Sequence, residues 1–261
     1  MSVTATVDSL WRYPVKSMRG QELKELFASY AGVYGDRVFA FTSSASPPGF
    51  PWFTGRDQRQ MIRYRARFRY PEKAAQPINV CEAEERSANP VPASAADMMI
   101  DVETPGGETF AIDDPALVNH LEAATGNRHQ LTLRRSEKAM TDAFPVSIFA
   151  VQAAQTLGEE IGIRIDTRRF RANIYLDLSS KDPYAENQFV GKSLRIGQKV
   201  VVHVLQRDER CMMITLDPDT AEKTPAILKQ VAQSHGNMIG LYAAVLTEGV
   251  IRKGDPVELL S

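Results

Sequence analysis

The sequence predicts a mainly β protein with a few helices, an α+β organisation of two β-rich lobes. Three observations predict it. β-forming runs bounded by glycine and proline recur along the chain, starting with Val3 to Val15. Helix punctuation occurs at only three places. A strand–glycine–strand pattern appears twice, at Leu194-Arg195-Ile196-Gly197-Gln198-Lys199-Val200 and Ile251-Arg252-Lys253-Gly254-Asp255-Pro256-Val257. Two copies are too few for a solenoid and suggest two edges of one β-rich domain.

In order, Val3 to Val15 reads as strand and runs into a polar turn, Lys16-Ser17-Met18-Arg19-Gly20. Val38 to Thr42 follows Gly35-Asp36-Arg37 as a buried strand. Ser43 to Pro51 holds four prolines or glycines in nine residues and reads as a loop. From Met61 to Tyr70, Arg63, Arg65, Arg67 and Arg69 alternate with Ile62, Tyr64, Ala66, Phe68 and Tyr70, a period-two strand with a cationic face. Charged faces of antiparallel sheets ordinarily face solvent, and that is the expectation here. Ile78 to Cys81 reads as a core strand, with Cys81 as a buried structural thiol.

Asp114 to Gly126 reads as a helix, with Asp114 as N-cap, Pro115 in the first turn and Gly126 at the C-terminal end. Val151 to Gly162 is a second helix, with Ala154, Leu157 and Ile161 at helical spacing. Thr224 to Gly236 repeats the punctuation of the first. A strand at His129 to Leu133 and the charged segment Arg134-Arg135-Ser136-Glu137-Lys138 place a boundary between lobes of residues 1–135 and 136–261.

The chain has 261 residues, 43% hydrophobic and 24% charged, with a net charge of −1. A chain of this size buries roughly 70–75% of its unfolded surface, enough for a substantial core. The neutral balance argues against a general nucleic-acid binder. The N-terminus has neither the basic nor the apolar region of a signal peptide, and no apolar run reaches the ~20 residues of a membrane span. Cys81 and Cys211, the only cysteines, lie 130 positions apart and form no disulfide framework. The expectation is a cytoplasmic protein with no membrane partner.

Several chemistries lack their motifs. There is no phosphate-cradling G-x-x-x-x-G-K-[ST] loop, no G-x-G-x-x-G and no G-x-S-x-G elbow. The four histidines fall in no metal-ligand spacing. What remains is Cys211, in Arg207-Asp208-Glu209-Arg210-Cys211, and basic residues at Lys16, Arg37 and Arg171, the last close to Asn173. Taken alone, Cys211 is a reactive sulfur, a metal ligand or a small core residue. On a strand, Arg210 would point to the opposite face and would assist a thiolate only if the chain bends there.

An ordered set of motifs runs along nearly the whole chain. It comprises Tyr13-Pro14-Val15-Lys16-Ser17, Gly35-Asp36-Arg37, Asp142-Ala143-Phe144-Pro145, Arg169-Phe170-Arg171-Ala172-Asn173, Arg210-Cys211 with Asp217-Pro218-Asp219-Thr220, and Gly249 to Val257. This set resembles the MOSC-domain proteins that carry the MOSC N-terminal β-barrel domain, the family of the mitochondrial amidoxime-reducing component. The resemblance implies a β-barrel MOSC domain packed on an N-terminal β-rich domain. It also implies a molybdenum cofactor of the molybdopterin type, with Cys211 as the metal ligand and the catalytic centre. Lys16, Ser17, Arg37 and Arg171 would contact the phosphate or pterin, and Asn173 and Arg210 would line the same site.

The implied activity is reduction of N-hydroxylated or N-oxygenated small molecules. Two cysteines leave no internal iron–sulfur cluster, so electrons would come from an external donor protein. A different chemistry open to Cys211 is a persulfide carrier that delivers sulfur to a metal cofactor. The chain departs from the family at Ala143 and Phe144, where hydroxyl residues are expected. It departs also at Glu209, an anion beside the site, at Ala172, where proline is usual, and at Ala221, where glycine is usual.

Overall fold

The computed structural model describes residues 3–47, 49–86 and 89–260. Its centre is a closed barrel of seven strands. The strands Ile174–Leu178, Val146–Ala150, Met238–Thr247, Val200–Glu209, Ser193–Ile196, Pro256–Leu260 and Val3–Arg12 follow one another around it, and Val3–Arg12 pairs back to Ile174–Leu178. Closure removes the unpaired edges of an open sheet. The two glycine-turn segments are therefore not edges: Ser193–Ile196 and Pro256–Leu260 are antiparallel neighbours inside the barrel.

One pairing in the barrel is parallel, Val146–Ala150 with Ile174–Leu178. A parallel pair needs a crossover, and the helix Val151–Ile161 supplies it. Its last turn closes on Gly162 in the left-handed region, φ 70°, as a C-terminal cap requires. The helix Pro225–Ser234 packs beside it. Ala5, Val7 and, past an irregularity between Val7 and Ser9, Leu10 enter the barrel core with Val146, Ile148, Val202, Val204, Leu241 and Ala243.

The first lobe is built from small sheets. Leu131–Arg135, Phe39–Ser43 and Trp52–Phe53 form one, and Arg65–Phe68, Ile100–Glu103 and Thr109–Ala111 form another. Its own core gathers Val15, Met18, Phe39, Phe41, Phe53, Met61 and Leu117. The helix Pro115–Ala123 covers it, and Asp114 Oδ1 accepts from the Ala116 amide at 2.8 Å. A third sheet joins Glu25–Ser29 and Gly32–Val33 to Gly249–Arg252 from the far end of the chain. The first strand and this sheet thus belong with the C-terminal strands, so the cores do not divide at one point of the sequence. Ile62 packs against Leu216 and Ala221, joining the lobes beneath the site described below.

Two expectations change. Cys81 is exposed on the helix Val80–Arg86, not buried in a strand. Glu82-Ala83-Glu84-Glu85-Arg86 are good helix formers and outweigh the short apolar run before them. The alternating segment is shorter than its pattern suggests. Arg59–Arg63 is a 3₁₀ helix, and only Arg65–Phe68 is strand. Arg65, Arg67 and Arg69 face solvent and pair with Glu103 and Asp101 on the neighbouring strand, as a solvated face does. No helix among the described residues is long and apolar enough to cross a membrane.

Candidate functional site

The sequence-predicted site residues converge on one cleft between the lobes. Lys16, Ser17, Arg37, Arg171, Asn173, Arg210 and Cys211 all line it, and its cavity is about 110 Å³. They come from four segments of the chain. The turn after Val3–Arg12 brings Lys16 and Ser17, and the turn before Phe39–Ser43 brings Arg37. The segment after the 3₁₀ helix Thr167–Phe170 brings Arg171 and Asn173, and the end of the Val200–Glu209 strand brings Arg210 and Cys211.

Backbone geometry marks the same place. Ser17, Arg37 and Arg171 have φ of 65°, 46° and 53°. Side chains rarely adopt this left-handed conformation, and residues held there cluster at functional sites. Three separate segments turn in this way to aim one clamp.

The basic wall is ordered by specific contacts. Lys16 Nζ donates to Met140 O at 2.8 Å and pairs with Asp142. Burial pushes the Lys16 ammonium pKa down, against the pull of Asp142. Arg37 pairs with the buried Asp36 and donates to Arg171 O at 3.1 Å. Arg171 donates to Met18 O at 2.7 Å, and burial, with the nearby Arg37 charge, lowers its pKa. Arg56 pairs with Asp142, and Arg169 with Asp217. Among the described residues, Arg171 is the one cation of the cleft without a carboxylate partner. Its charge is open to an anion in the cleft.

The other end carries Cys211, partly exposed, where the Val200–Glu209 strand breaks into the 3₁₀ helix Met212–Thr215. The bend matters because it lets Arg210 and Cys211 share one cavity. Arg210 is held on three sides. Its backbone amide donates to Asn237 O at 2.8 Å, Nε to Ile239 O at 2.7 Å and Nη1 to Phe170 O at 2.9 Å. Nη2 lies 2.8 Å from Asp208 Oδ2 without hydrogen-bond alignment, so that contact is a charge pair and leaves an N–H unsatisfied. Asn173 is fully buried. Its Oδ1 accepts from the Ser147 amide at 3.2 Å, and its Nδ2 donates to Trp11 O at 3.3 Å.

Three neighbours, Asp208, Tyr242 and Gly240, carry no motif in the sequence. Asp208 is buried, and burial pushes its carboxyl up to about 6 despite Arg210. Ser147 Oγ donates to it at 3.3 Å, and Tyr242 hydrogen-bonds it from the next strand. Burial and the Asp208 charge push the Tyr242 phenol up. Phe144 packs on the Tyr242 ring at 5.5 Å, so a ring occupies the place where a hydroxyl was expected. Gly240 has φ 80°, and a Cβ there would stand 2.6 Å from Arg210 Nη2. A glycine inside the Met238–Thr247 strand was the signal that could have found this close approach.

The remaining departures have structural counterparts. Glu209 is exposed and lines the same cleft, and its Oε1 accepts from Asn237 Nδ2 at 3.5 Å. Ala172 is buried. Ala221 keeps the left-handed backbone that favours glycine, φ 61°, while its methyl packs into the contact between the lobes.

Two family models match the chain. The MOSC N-terminal beta barrel domain matches residues 4–161, and the MOSC domain matches residues 135–258. Over 155 residues the chain is 28% identical to mitochondrial amidoxime-reducing component 1 of Mus musculus, covering 54% of this chain and 44% of that one. The match thus spans less than half of that relative's length. Among solved structures it is similar to the YUAD protein from Bacillus subtilis, at 12% identity and a TM-score of 0.49, covering 98% of this chain and 95% of that one. It is similar also to YiiM from Geobacillus stearothermophilus, at 22% identity and a TM-score of 0.36, covering 45% and 55%. Neither structural likeness bears on function. The N-terminal match alone spans more than half of the sequence, and the chain belongs to the MOSC-domain proteins that carry the MOSC N-terminal β-barrel domain.

Proposed function

We propose that the cleft binds a molybdenum–pterin cofactor and that the protein reduces N-hydroxylated small molecules such as amidoximes, with electrons from a separate donor protein. The observation that carries this reading is the pairing of opposite chemistries in one cleft. A basic wall with the unpartnered charge of Arg171 faces a single partly exposed thiol. A phosphate monoester is a near-dianion and suits several Lys and Arg donors. A thiolate is a soft ligand and suits a sulfur-bound metal. The donor set therefore fits both ends of such a group.

Lys16, Ser17, Arg37 and Arg171 would hold its phosphate and pterin. Asn173 and Arg210 would form the floor, and Cys211 would ligate the metal. When bound, the molybdenum centre supplies the two-electron chemistry. Reduction of an N-hydroxyl compound to the amine consumes two electrons and two protons and releases water. The chain must therefore hold a proton near Cys211. Asp142 is a poor source. Burial would raise its carboxyl pKa, but Lys16 and Arg56 hold it below the usual range. Asp208, pushed up to about 6 and bonded to Tyr242, is suited to carry a proton near neutral pH.

The test is turnover. Cofactor-loaded protein given a reduced viologen and an amidoxime should form the amidine, and Cys211→Ser should abolish it. NADH alone should not support the reaction, since the sequence shows no dinucleotide fingerprint. Undiminished activity of Cys211→Ser, or persulfide accumulation on Cys211 without reduction, would move the assignment to sulfur transfer.

A further inference from the structure

Tyr13 does not line the cleft, yet Arg37 and Arg171 are both tied to it. The Arg37 and Arg171 guanidinium carbons lie 4.7 and 4.3 Å from the centre of its ring. The Tyr13 amide donates to Asp36 Oδ1 at 2.7 Å, and its carbonyl accepts from the Arg37 amide at 2.7 Å. Its hydroxyl donates to Ala172 O at 3.3 Å, next to Arg171. The ring is 2% exposed, and its fit is tight: a Cβ on Gly20 would stand 2.5 Å from Tyr13 Cε1.

The arrangement answers an electrostatic problem. Arg37 and Arg171 are close enough for each charge to act on the other, and only Arg37 has a carboxylate. Like charges so placed repel, and the hydrogen bond from Arg171 to Met18 O supplies no negative charge to offset that repulsion. The face of an aromatic ring is electron-rich and attracts guanidinium groups within about 6 Å of its centroid. In a desolvated setting that attraction is stronger than at a surface.

We infer that Tyr13 is a positioning residue of the anion clamp, whose ring face holds the Arg37 and Arg171 guanidiniums together so that both address one anion. This rests on the reading of the cleft as an anion site. It assigns to a residue outside the cleft the pre-organisation of the two charges inside it. A ring costs little conformational entropy to fix, and pre-organised donors bind more tightly than donors that must be gathered.

The experiment is a fluorination series at position 13 in the full chain. Phenylalanine and its mono-, di- and trifluorinated analogues keep the ring's shape and progressively weaken its negative face. Phosphate affinity of cofactor-free protein would be followed by phosphorus NMR, with thermal unfolding as the check on folding. Tyr13→Phe should bind phosphate within about twofold of wild type, since the ring face remains. Affinity should then fall stepwise to about tenfold weaker at trifluorophenylalanine, the scale of a cation–π contact. Melting temperatures should stay nearly level. Tyr13→Leu, if folded, should match or exceed that loss.

A flat series with normal wild-type affinity overturns the role of Tyr13 and leaves the anion site standing. Loss in Tyr13→Phe equal to that in Tyr13→Leu assigns the effect to the hydroxyl and also overturns it. Failure of the wild-type protein to bind phosphate overturns both the anion site and its positioning residue.

Discussion

Two groups of arginines in this molecule make opposite use of the same side chain. Arg65, Arg67 and Arg69 alternate along one short segment of the sequence. They lie on the surface, with the Arg67 side chain 67% exposed, and pair with Glu103 and Asp101. Arg37, Arg171 and Arg210 come from three distant segments, and the Arg210 side chain is 7% exposed. The first group is neutralised by its neighbouring strand and screened by water. The second is ordered by backbone carbonyls, aromatic rings and carboxylates, with one charge left open. What distinguishes the site is the convergence of charges from separated segments at a barrel end.

The comparison sharpens most where a buried charge has no partner. Glu186 is 1% exposed, and neither carboxylate oxygen has a hydrogen-bond partner. Burial pushes its pKa up to about 7 from 4.5. The folded protein therefore holds a proton that the unfolded chain releases. Stability from this group is fully present below about pH 4.5 and is lost as pH rises through about 7. Glu186→Gln should remove that loss and raise stability at pH 8 by about 3 kcal/mol, while changing little at pH 4. Urea unfolding at both pH values checks it. Equal stability of mutant and wild type at pH 8 would mean that Glu186 finds a partner when ionised.

Smaller effects separate the two arginine groups directly. Arg171→Ala should weaken retention of an anionic ligand by about 1.5–3 kcal/mol, the range for hydrogen bonds to a charged group. Arg67→Ala should leave ligand retention unchanged and shift stability by less than ~0.5 kcal/mol, as exposed ion pairs do. Equilibrium dialysis and thermal unfolding read both. Equal losses of ligand in the two variants would replace the clamp with a diffuse field.

Much of this architecture was legible because it depends on local rules. The Pro115–Ala123 helix follows from Asp114, Pro115 and Gly126, and the crossover helix from its apolar spacing and Gly162. The Lys16-Ser17, Arg37, Arg171 and Arg210-Cys211 segments were visible as motifs, and the structure brings them to one cleft. Less visible was whatever depends on partners distant in sequence. Asp208 and Tyr242 sit on paired strands, and nothing local reveals that they meet. Tyr13 belongs to a recognisable motif, but its contact with Arg37 and Arg171 joins segments far apart in the sequence. Cys81 was misplaced because a short segment such as Ile78 to Cys81 cannot by itself distinguish strand from helix start. The first strand's place in the barrel with the C-terminal strands was hidden for the same reason as the site: pairing across the length of the chain leaves no local trace.

The central claim is that the cleft binds a molybdenum–pterin group through Cys211 at one end and the basic wall at the other. The direct measurement is molybdenum content by elemental analysis, with oxidised-pterin fluorescence, on protein from a host competent in cofactor synthesis. Wild type should carry both in about equal amounts. Cys211→Ser should keep its fold and lose most of the metal, and Arg171→Ala should lose metal and pterin together. Wild-type protein without molybdenum or pterin, or Cys211→Ser with its full complement of metal, would contradict the account.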